Sequence, residues 1–204
     1  MEPRIELTHI VDQYIAVADV GDLNYEGMID FIEEQSESVP TKKVSNLGGY
    51  QTEIYNLGES YPQFKEDYLK VGRIVSALGQ EVFKNRVACD LSNSYGFFNK
   101  VTRGNSHVLH RHTGMICSIL YLNDGQGFAT THFVVNTSYA DTPLKNLNKN
   151  LFSAHNGGEL AGINPKRGLL LMFPSHLLHR VSEHDSDASR YTFACNWNLI
   201  EVEQ

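Results

Sequence analysis

The feature that most constrains this chain is a change in the spacing of its apolar residues near Ala88. Before it, apolar residues recur every three or four positions, most clearly between Gln63 and Lys84, which predicts a helix. After it, short runs of β-branched and aromatic residues alternate with turns such as Asn123-Asp124-Gly125, which predicts seven or eight strands. This order predicts an all-β core with N-terminal helices, built as an antiparallel barrel or jelly roll.

The 204 residues are enough for one domain, and we predict a single domain over 1–204. Residues 1–88 would supply helical support, including a short first helix within NYEGMIDFIEE, and residues 89–204 the jelly-roll core. The stretch from Ser36 to Tyr61, rich in Ser, Gly, Asn and Pro, predicts an irregular connection able to cover a site. A polar, Asn-rich stretch at about 135–158 predicts an insertion on one rim.

Composition excludes several classes of protein. The formal charge of -7 comes without a basic patch, which disfavours nucleic-acid binding. No run of about 18 apolar residues and no apolar start typical of a secretory signal are present, so we expect no membrane association. Cys89, Cys117 and Cys195 form no CxxC pair, which favours reduced, buried thiols and a cytoplasmic location. A small molecule or a protein side chain is the expected substrate, and no oligomeric state is predicted.

Three of the nine histidines lie in the segment His107-Val-Leu-His110-Arg-His112. Side chains two apart on a strand share a face, so His110 and His112 are expected to converge, whereas His107 is expected to face the other way. Neutral imidazole binds iron, zinc or copper. A solvated strand face explains such a pair equally well when it is taken alone.

Two residues near the end of the chain extend the pattern. His179 follows the apolar run GLLLMF and a Pro-Ser turn, where a partner strand would return, while His176 in that turn is expected at the surface. Arg190 opens the last strand among apolar neighbours and therefore requires an anion. Either a small dicarboxylate or a salt bridge to Asp185 or Asp187 would satisfy it.

Together, the segments HRH, SILYLN, GFATTHF, PKRGLLLMFPSHLLHRV and the Arg190 strand resemble the iron and 2-oxoglutarate dioxygenases. The match is best with the prolyl-hydroxylase-like branch and with a bacterial and phage group that carries an HxH motif. It covers roughly residues 94–200. The resemblance implies a double-stranded β-helix, Fe(II) as the metal and 2-oxoglutarate as cosubstrate.

The resemblance also implies a set of metal ligands. His110 would be the first ligand, His112 would occupy the usual carboxylate position and His179 would be the distal ligand. The usual HxD or HxE is here HxH, so three neutral ligands replace two histidines and a carboxylate. A different alignment reads His112-Thr-Gly114 as the HxG pattern of oxoglutarate-dependent halogenases, in which a halide takes the vacant ligand position.

For the cosubstrate, the resemblance implies that Arg190 binds the far carboxylate of 2-oxoglutarate. Tyr121 lies where several relatives place a tyrosine hydroxyl on that carboxylate. Asn99 lies where some relatives have an asparagine near the keto-acid end. Thr192 is a weaker candidate, because some relatives have a hydroxyl two residues after the arginine.

The leading hypothesis is an oxygenase that couples oxidative decarboxylation of 2-oxoglutarate to hydroxylation or demethylation of a substrate. The substrate would enter near the 36–61 connection or the 135–158 insertion. One alternative is a cupin-like three-histidine metal dioxygenase that uses no 2-oxoglutarate. Another is a non-catalytic jelly-roll binding module.

Overall fold

The chain folds into two facing antiparallel sheets with two helices packed against one of them. The computed structural model describes residues 14–57, 59, 61–134, 152–154 and 160–202. Its elements are, in chain order, β1 (Ala16–Asp19), α1 (Tyr25–Ser38), β2 (Asn46–Leu47), β3 (Tyr50–Gln51), β4 (Tyr55–Asn56), α2 (Lys65–Phe83), β5 (Val87–Cys89), β6 (Tyr95–Val101), β7 (Ser106–His110), β8 (Ile116–Tyr121), β9 (Thr131–Val134), β10 (Phe152–Ala154), β11 (Leu160–Ile163), β12 (Leu169–Pro174), β13 (His179–Val181), β14 (Arg190–Trp197) and β15 (Leu199–Glu201).

The strands form two large sheets and one small one. The larger sheet runs β1-β12-β8-β14-β6-β3, and β4 also pairs with β6. The smaller sheet runs β10-β11-β9-β13-β7-β2, and β15 pairs with β5. The predicted run of strands after Ala88 is confirmed, although β1 precedes α1 and three short strands lie between the two helices. The described strands do not close into a single ring, so the structure is two sheets rather than the closed barrel that was one of the expectations.

Two apolar cores flank the larger sheet. Between the two sheets, Ile119 and Phe173 of the larger sheet pack with Phe133 of the smaller one. On the outer face, the helices pack against residues such as Phe193 and Trp197 of β14. Because strand side chains alternate between faces, β14 serves both cores, and its inner face is available for a site between the sheets.

The second helix matches its predicted position and its buried face. It covers Lys65–Phe83, and Pro62–Phe64 form a 3-10 turn before it, because proline is well tolerated where a helix begins. Tyr68, Val71 and Val75 are buried on the predicted stripe.

Two predictions for the N-terminal region were wrong in detail. The first helix is not short: α1 has 14 residues, since Glu33-Glu34-Gln35 continue the helix beyond its apolar stripe. The 36–61 connection is not wholly irregular, because it contains β2, β3 and β4. The predicted 135–158 insertion lies outside the described residues, except for β10. None of the described helices is long and apolar enough to cross a membrane.

Candidate active site

His110 and His179 face each other as a pair on neighbouring strands of the smaller sheet. His110 ends β7, His179 begins β13, and the register pairs them directly, with ring centroids 4.3 Å apart. His112 follows two residues after His110, and its backbone N–H donates to the carbonyl of Ser175 at 2.8 Å. The HxH segment and the strand after the Pro-Ser turn therefore bring three imidazoles together.

The three imidazoles are close enough to share one ion. One ring nitrogen from each of His110, His112 and His179 lies within 4.8 Å of the others, and Nε2 of His112 is 3.2 Å from Nε2 of His179. Nitrogens bound to one metal at about 2.1 Å each are separated by roughly 3 Å. The donor set is all nitrogen, which suits iron, zinc or copper.

Backbone contacts orient two of these rings. Nδ1 of His110 lies 2.7 Å from the carbonyl oxygen of Val108, and Nδ1 of His179 lies 2.9 Å from that of Leu177. A carbonyl only accepts, so each Nδ1 carries the proton and each Nε2 presents a lone pair. This is how metal-binding histidines are commonly supported. The close approach of His112 to His179 requires a proton on His112 Nε2 or a metal ion between the two.

Burial keeps the cluster neutral. It lowers the pKa of His112 to about 4 and that of His179 to about 3, with a further lowering from the neighbouring imidazoles. The pKa of His110 is lowered for the same reason, opposed by its contact with Val108. Protons therefore do not compete with a metal for these nitrogens near pH 7.

His107 lies in the same cavity, against the prediction that it faces away. Val181 pairs with His107 and His179 pairs with His110. Between these two pairs β7 therefore advances by three residues while β13 advances by two. This bulge reverses the expected alternation and turns His107 inward. His107 is 8% exposed, and burial, reinforced by Arg190, lowers its pKa to about 3. Nothing in the sequence signals the bulge.

The four histidines line one cavity between the sheets. The empty space between the lining residues, including its open mouth, is about 360 Å³. Phe97, Ile119, Val181 and Ala194 supply apolar wall, and Phe97 stacks on His112 with centroids 6.0 Å apart. Ser45 also lines it, so part of the 36–61 connection does cover the site. No acidic residue is among the described residues that line the cavity.

Arg190 is buried at the other end of this cavity, with 1% of its surface exposed. No carboxylate lies within 4.0 Å of its guanidinium in the part of the chain that the structure describes, and its Nε has no hydrogen-bond partner there. The salt bridge considered from sequence is not formed, since Asp187 pairs with Arg103 at 3.0 Å. A buried cation without an internal anion fits the far carboxylate of a dicarboxylic ligand.

Thr131 and Tyr121 hold the side chain of Arg190 in place. Nη2 of Arg190 donates to Oγ1 of Thr131 at 3.0 Å, and the hydroxyl of Tyr121 donates to the same oxygen at 2.7 Å. The guanidinium lies 5.1 Å from the centre of the Tyr121 ring. Neither Tyr121 nor Thr131 is among the described residues that line the cavity, so both contact Arg190 from behind the cavity wall. Sequence reasoning missed Thr131, because one hydroxyl in an apolar strand carries no distinguishing signal.

Asn99 and Thr192 lie side by side between the histidines and Arg190. They are paired across β6 and β14, both are buried, and both line the cavity. Nδ2 of Asn99 is 3.4 Å from Oγ1 of Thr192, while its Oδ1 has no hydrogen-bond partner within the described ranges. His176 is exposed, as expected for a residue in the turn.

Comparisons with known proteins agree with this geometry. A family described as "Putative 2OG-Fe(II) oxygenase" matches residues 97–196. No curated protein matches the sequence. A prolyl-4-hydroxylase from Pseudomonas putida is similar in structure, with a TM-score of 0.60 and 12% identity over 90% of this chain and 91% of that one.

Two further solved structures share the fold. HygX from Streptomyces hygroscopicus, solved with nickel and 2-oxoglutarate bound, has a TM-score of 0.58 and 14% identity over 90% of this chain and 82% of that one. A prolyl hydroxylase from Trichoplax adhaerens, in complex with a hypoxia-inducible factor peptide, has a TM-score of 0.57 and 12% identity over 90% and 81%.

The two facing sheets and the imidazole cluster define a metal-binding protein of the double-stranded β-helix fold, which confirms the predicted fold class. More narrowly, residues 97–196, just under half of the chain, match a family of Fe(II)/2-oxoglutarate-dependent oxygenases. Its likeness to the two prolyl hydroxylases, at 12% identity, is a likeness of fold. Fe(II) and 2-oxoglutarate are the cofactor and cosubstrate of this family.

Proposed function

We propose that this oxygenase hydroxylates, or demethylates by hydroxylation, a substrate that reaches the histidine cluster from the cavity mouth. The observation that carries the proposal is the arrangement of the cavity: three convergent imidazoles at one end and a buried guanidinium without an internal anion at the other. A five-carbon keto diacid carries a keto-acid group at one end for a metal held by the imidazoles and a carboxylate at the other end for the guanidinium.

In this proposal, His110, His112 and His179 hold the iron through ring nitrogens. The backbone carbonyls of Val108 and Leu177 fix two of the rings in the orientation that presents Nε2. With only three protein ligands, a bound iron would remain accessible to the cosubstrate. Since all three ligands are neutral, the protein adds no negative charge to the metal, unlike a site with one carboxylate.

Arg190 orients the cosubstrate by binding its far carboxylate. Tyr121 and Thr131 hold the guanidinium in place, and a paired hydrogen bond from arginine suits a planar carboxylate. Asn99 and Thr192 lie between the two ends, where their polar groups are available to the middle of the keto acid. Tyr121 would then act on the carboxylate through Arg190 and Thr131 rather than by direct contact.

When both are bound, Fe(II) and 2-oxoglutarate supply oxidative decarboxylation to succinate and carbon dioxide, with one oxygen atom transferred to a C–H bond. The protein itself positions the reacting groups and shields them from water. Phe97, Ile119, Val181 and Ala194 form the wall that excludes water around the reacting groups. The connection containing Ser45 is the proposed entry side for a small molecule or a protein side chain.

We further propose that residues 1–204 act as one domain, with 1–88 supporting the core of 89–204. The packing of α2 against Trp197 of β14 supports this division. A cytoplasmic location is proposed because Cys89, Cys117 and Cys195 are all free thiols.

The test is an anaerobic titration of metal-free protein with Fe(II) and 2-oxoglutarate, followed by its visible charge-transfer absorption. We expect a band in the wild type, none in His179→Ala, and a band only at much higher 2-oxoglutarate concentration in Arg190→Met. His176→Ala removes an exposed imidazole away from the cavity and serves as the matched control. Wild-type protein that gives no band, or a band unaffected in both site variants, would contradict the proposal.

Admitting oxygen then tests the reaction. Iron-dependent formation of succinate from 2-oxoglutarate separates this function from a three-histidine dioxygenase without cosubstrate and from a binding module. Mass spectrometry of products under ¹⁸O₂ would report an oxygen atom added to the substrate, or formaldehyde if a methyl group is removed.

A further inference from the structure

His107 is a buried polar side chain to which the proposed reaction assigns no task. It lines the cavity, is 8% exposed, and is not one of the three histidines whose ring nitrogens cluster. Its ring centroid is 6.3 Å from that of His110. Within the described residues, its ring nitrogens have no hydrogen-bond partner.

The register of the smaller sheet shows which end of the cavity His107 occupies. His110, His179 and Phe133 lie side by side in one row across β7, β13 and β9. His107, Val181 and Thr131 form the neighbouring row. Since Thr131 accepts a hydrogen bond from Arg190, the row of His107 is the one that lies over the guanidinium.

Electrostatics agree with this placement. Arg190 is the foremost charged influence on His107, whereas it does not figure among the groups that perturb His110 or His179. Beside a fixed cation, and buried, His107 is a neutral imidazole with one N–H to donate. An anion bound by Arg190 is the natural acceptor for it.

We propose that His107 is a second donor to the cosubstrate: its imidazole donates a hydrogen bond to the carboxylate that Arg190 binds, and it thereby selects a keto acid with an acidic far end. This inference rests on the proposed binding of 2-oxoglutarate in the cavity. His107 is a binding and specificity residue, and it is not a metal ligand.

The experiment measures binding by titration calorimetry to protein loaded with Mn(II) under anaerobic conditions. Two probes are compared: 2-oxoglutarate, and 2-oxobutyrate, which keeps the keto acid but lacks the far carboxylate. His107→Phe keeps a ring and removes the donor, His107→Gln keeps an N–H donor, and His176→Phe is the matched control. Mn(II) affinity is measured separately for each protein.

His107→Phe is expected to weaken 2-oxoglutarate binding about 10- to 100-fold, the usual loss for a hydrogen bond to a charged group. Its affinities for 2-oxobutyrate and Mn(II) should stay within about twofold of wild type. His107→Gln should recover most of the loss, and His176→Phe should behave as wild type. His107→Leu replaces the Phe variant if that protein does not fold.

Two results would overturn the inference while leaving the proposed function intact. One is unchanged 2-oxoglutarate binding in His107→Phe, with binding still lost in Arg190→Met. The other is an equal loss for 2-oxoglutarate and 2-oxobutyrate, which would assign His107 to the metal or the fold. Wild-type protein that binds neither keto acid would instead refute the proposed function, and this inference with it.

Discussion

Arg190 on the larger sheet and Thr131 on the smaller sheet are joined by a hydrogen bond of 3.0 Å from Nη2 to Oγ1. The same threonine oxygen accepts the hydroxyl of Tyr121, so its two lone pairs are both used and its own proton is left for another acceptor. The buried guanidinium is thus held between the sheets by a threonine that accepts from Arg190 and Tyr121 together.

Replacing this oxygen should therefore cost stability and binding together. Thr131→Val has nearly the same shape but leaves two buried donors unpaired, so we expect a loss of about 1–3 kcal/mol in the free energy of unfolding. Chemical denaturation would measure it, and calorimetry should show weaker 2-oxoglutarate binding. Thr131→Ser keeps the oxygen and should lose less than half as much. Equal stability of the Val variant and wild type would contradict the assigned hydrogen bonds.

The unusual middle ligand position offers a second prediction. His112→Ala removes one of three nitrogens, and we expect Fe(II) affinity to fall at least as far as the roughly 10- to 100-fold lost with a supporting group. His112→Asp supplies a carboxylate oxygen, which also binds iron, and should keep substantially more affinity than the Ala variant. Competition with a metal chelator would rank the three proteins. An Ala variant as tight as wild type would exclude His112 as a ligand.

The buried neutral histidines predict how the metal-free protein responds to acid. Folding lowers the pKa of His107 and His179 from 6.5 to about 3, so below pH 6.5 the unfolded chain binds more protons than the folded one. The free energy of unfolding should therefore fall as the pH decreases from about 6.5 towards 3. Thermal unfolding with a chelator present would follow this, and His179→Gln should show a shallower decline. If the free energy of unfolding of that variant fell as steeply with decreasing pH as that of the wild type, His179 would not contribute to the acid sensitivity.

The two glycines of α2 provide a prediction about stability alone. A Cβ at Gly72 would meet its nearest atom, on Trp197, at 3.5 Å, an ordinary contact, whereas at Gly79 it would meet Val87 at 3.1 Å. Gly72→Ala should stabilise the protein by about 0.5–1 kcal/mol through helix propensity. Gly79→Ala should gain less, because Val87 must shift. Denaturation midpoints of the two variants would measure the difference. A larger gain for Gly79→Ala than for Gly72→Ala would contradict the contacts described around α2.

Local patterns were sufficient to predict the strands and the clustered histidines. His110 and His112 are two residues apart beside a strand, and His179 begins the strand after a recognisable turn, so alternation and turn chemistry were enough to bring them together. The α2 stripe was equally readable, since helical spacing of apolar residues is a local signal.

Relationships between distant segments were not predictable in the same way. The direction of His107 depends on an extra residue in β7, which is visible only in its pairing with β13. The hydroxyl of Tyr121 was expected on the cosubstrate, but in the fold it donates to Thr131, ten residues further along the chain. Both features arise from how strands stack and align, and no single segment encodes them.

The extra residue in β7 also means that strand pairing, as well as residue type, determines what the cavity contains. A one-residue deletion at Val108 or Leu109 would remove the bulge and leave residues 107 and 110 two positions apart, so regular alternation would still turn both imidazoles into the cavity. With the present spacing of three residues, in contrast, pairing without the bulge would turn residue 107 to the outer face, and the cavity would lose an imidazole without any change in the metal-binding residues.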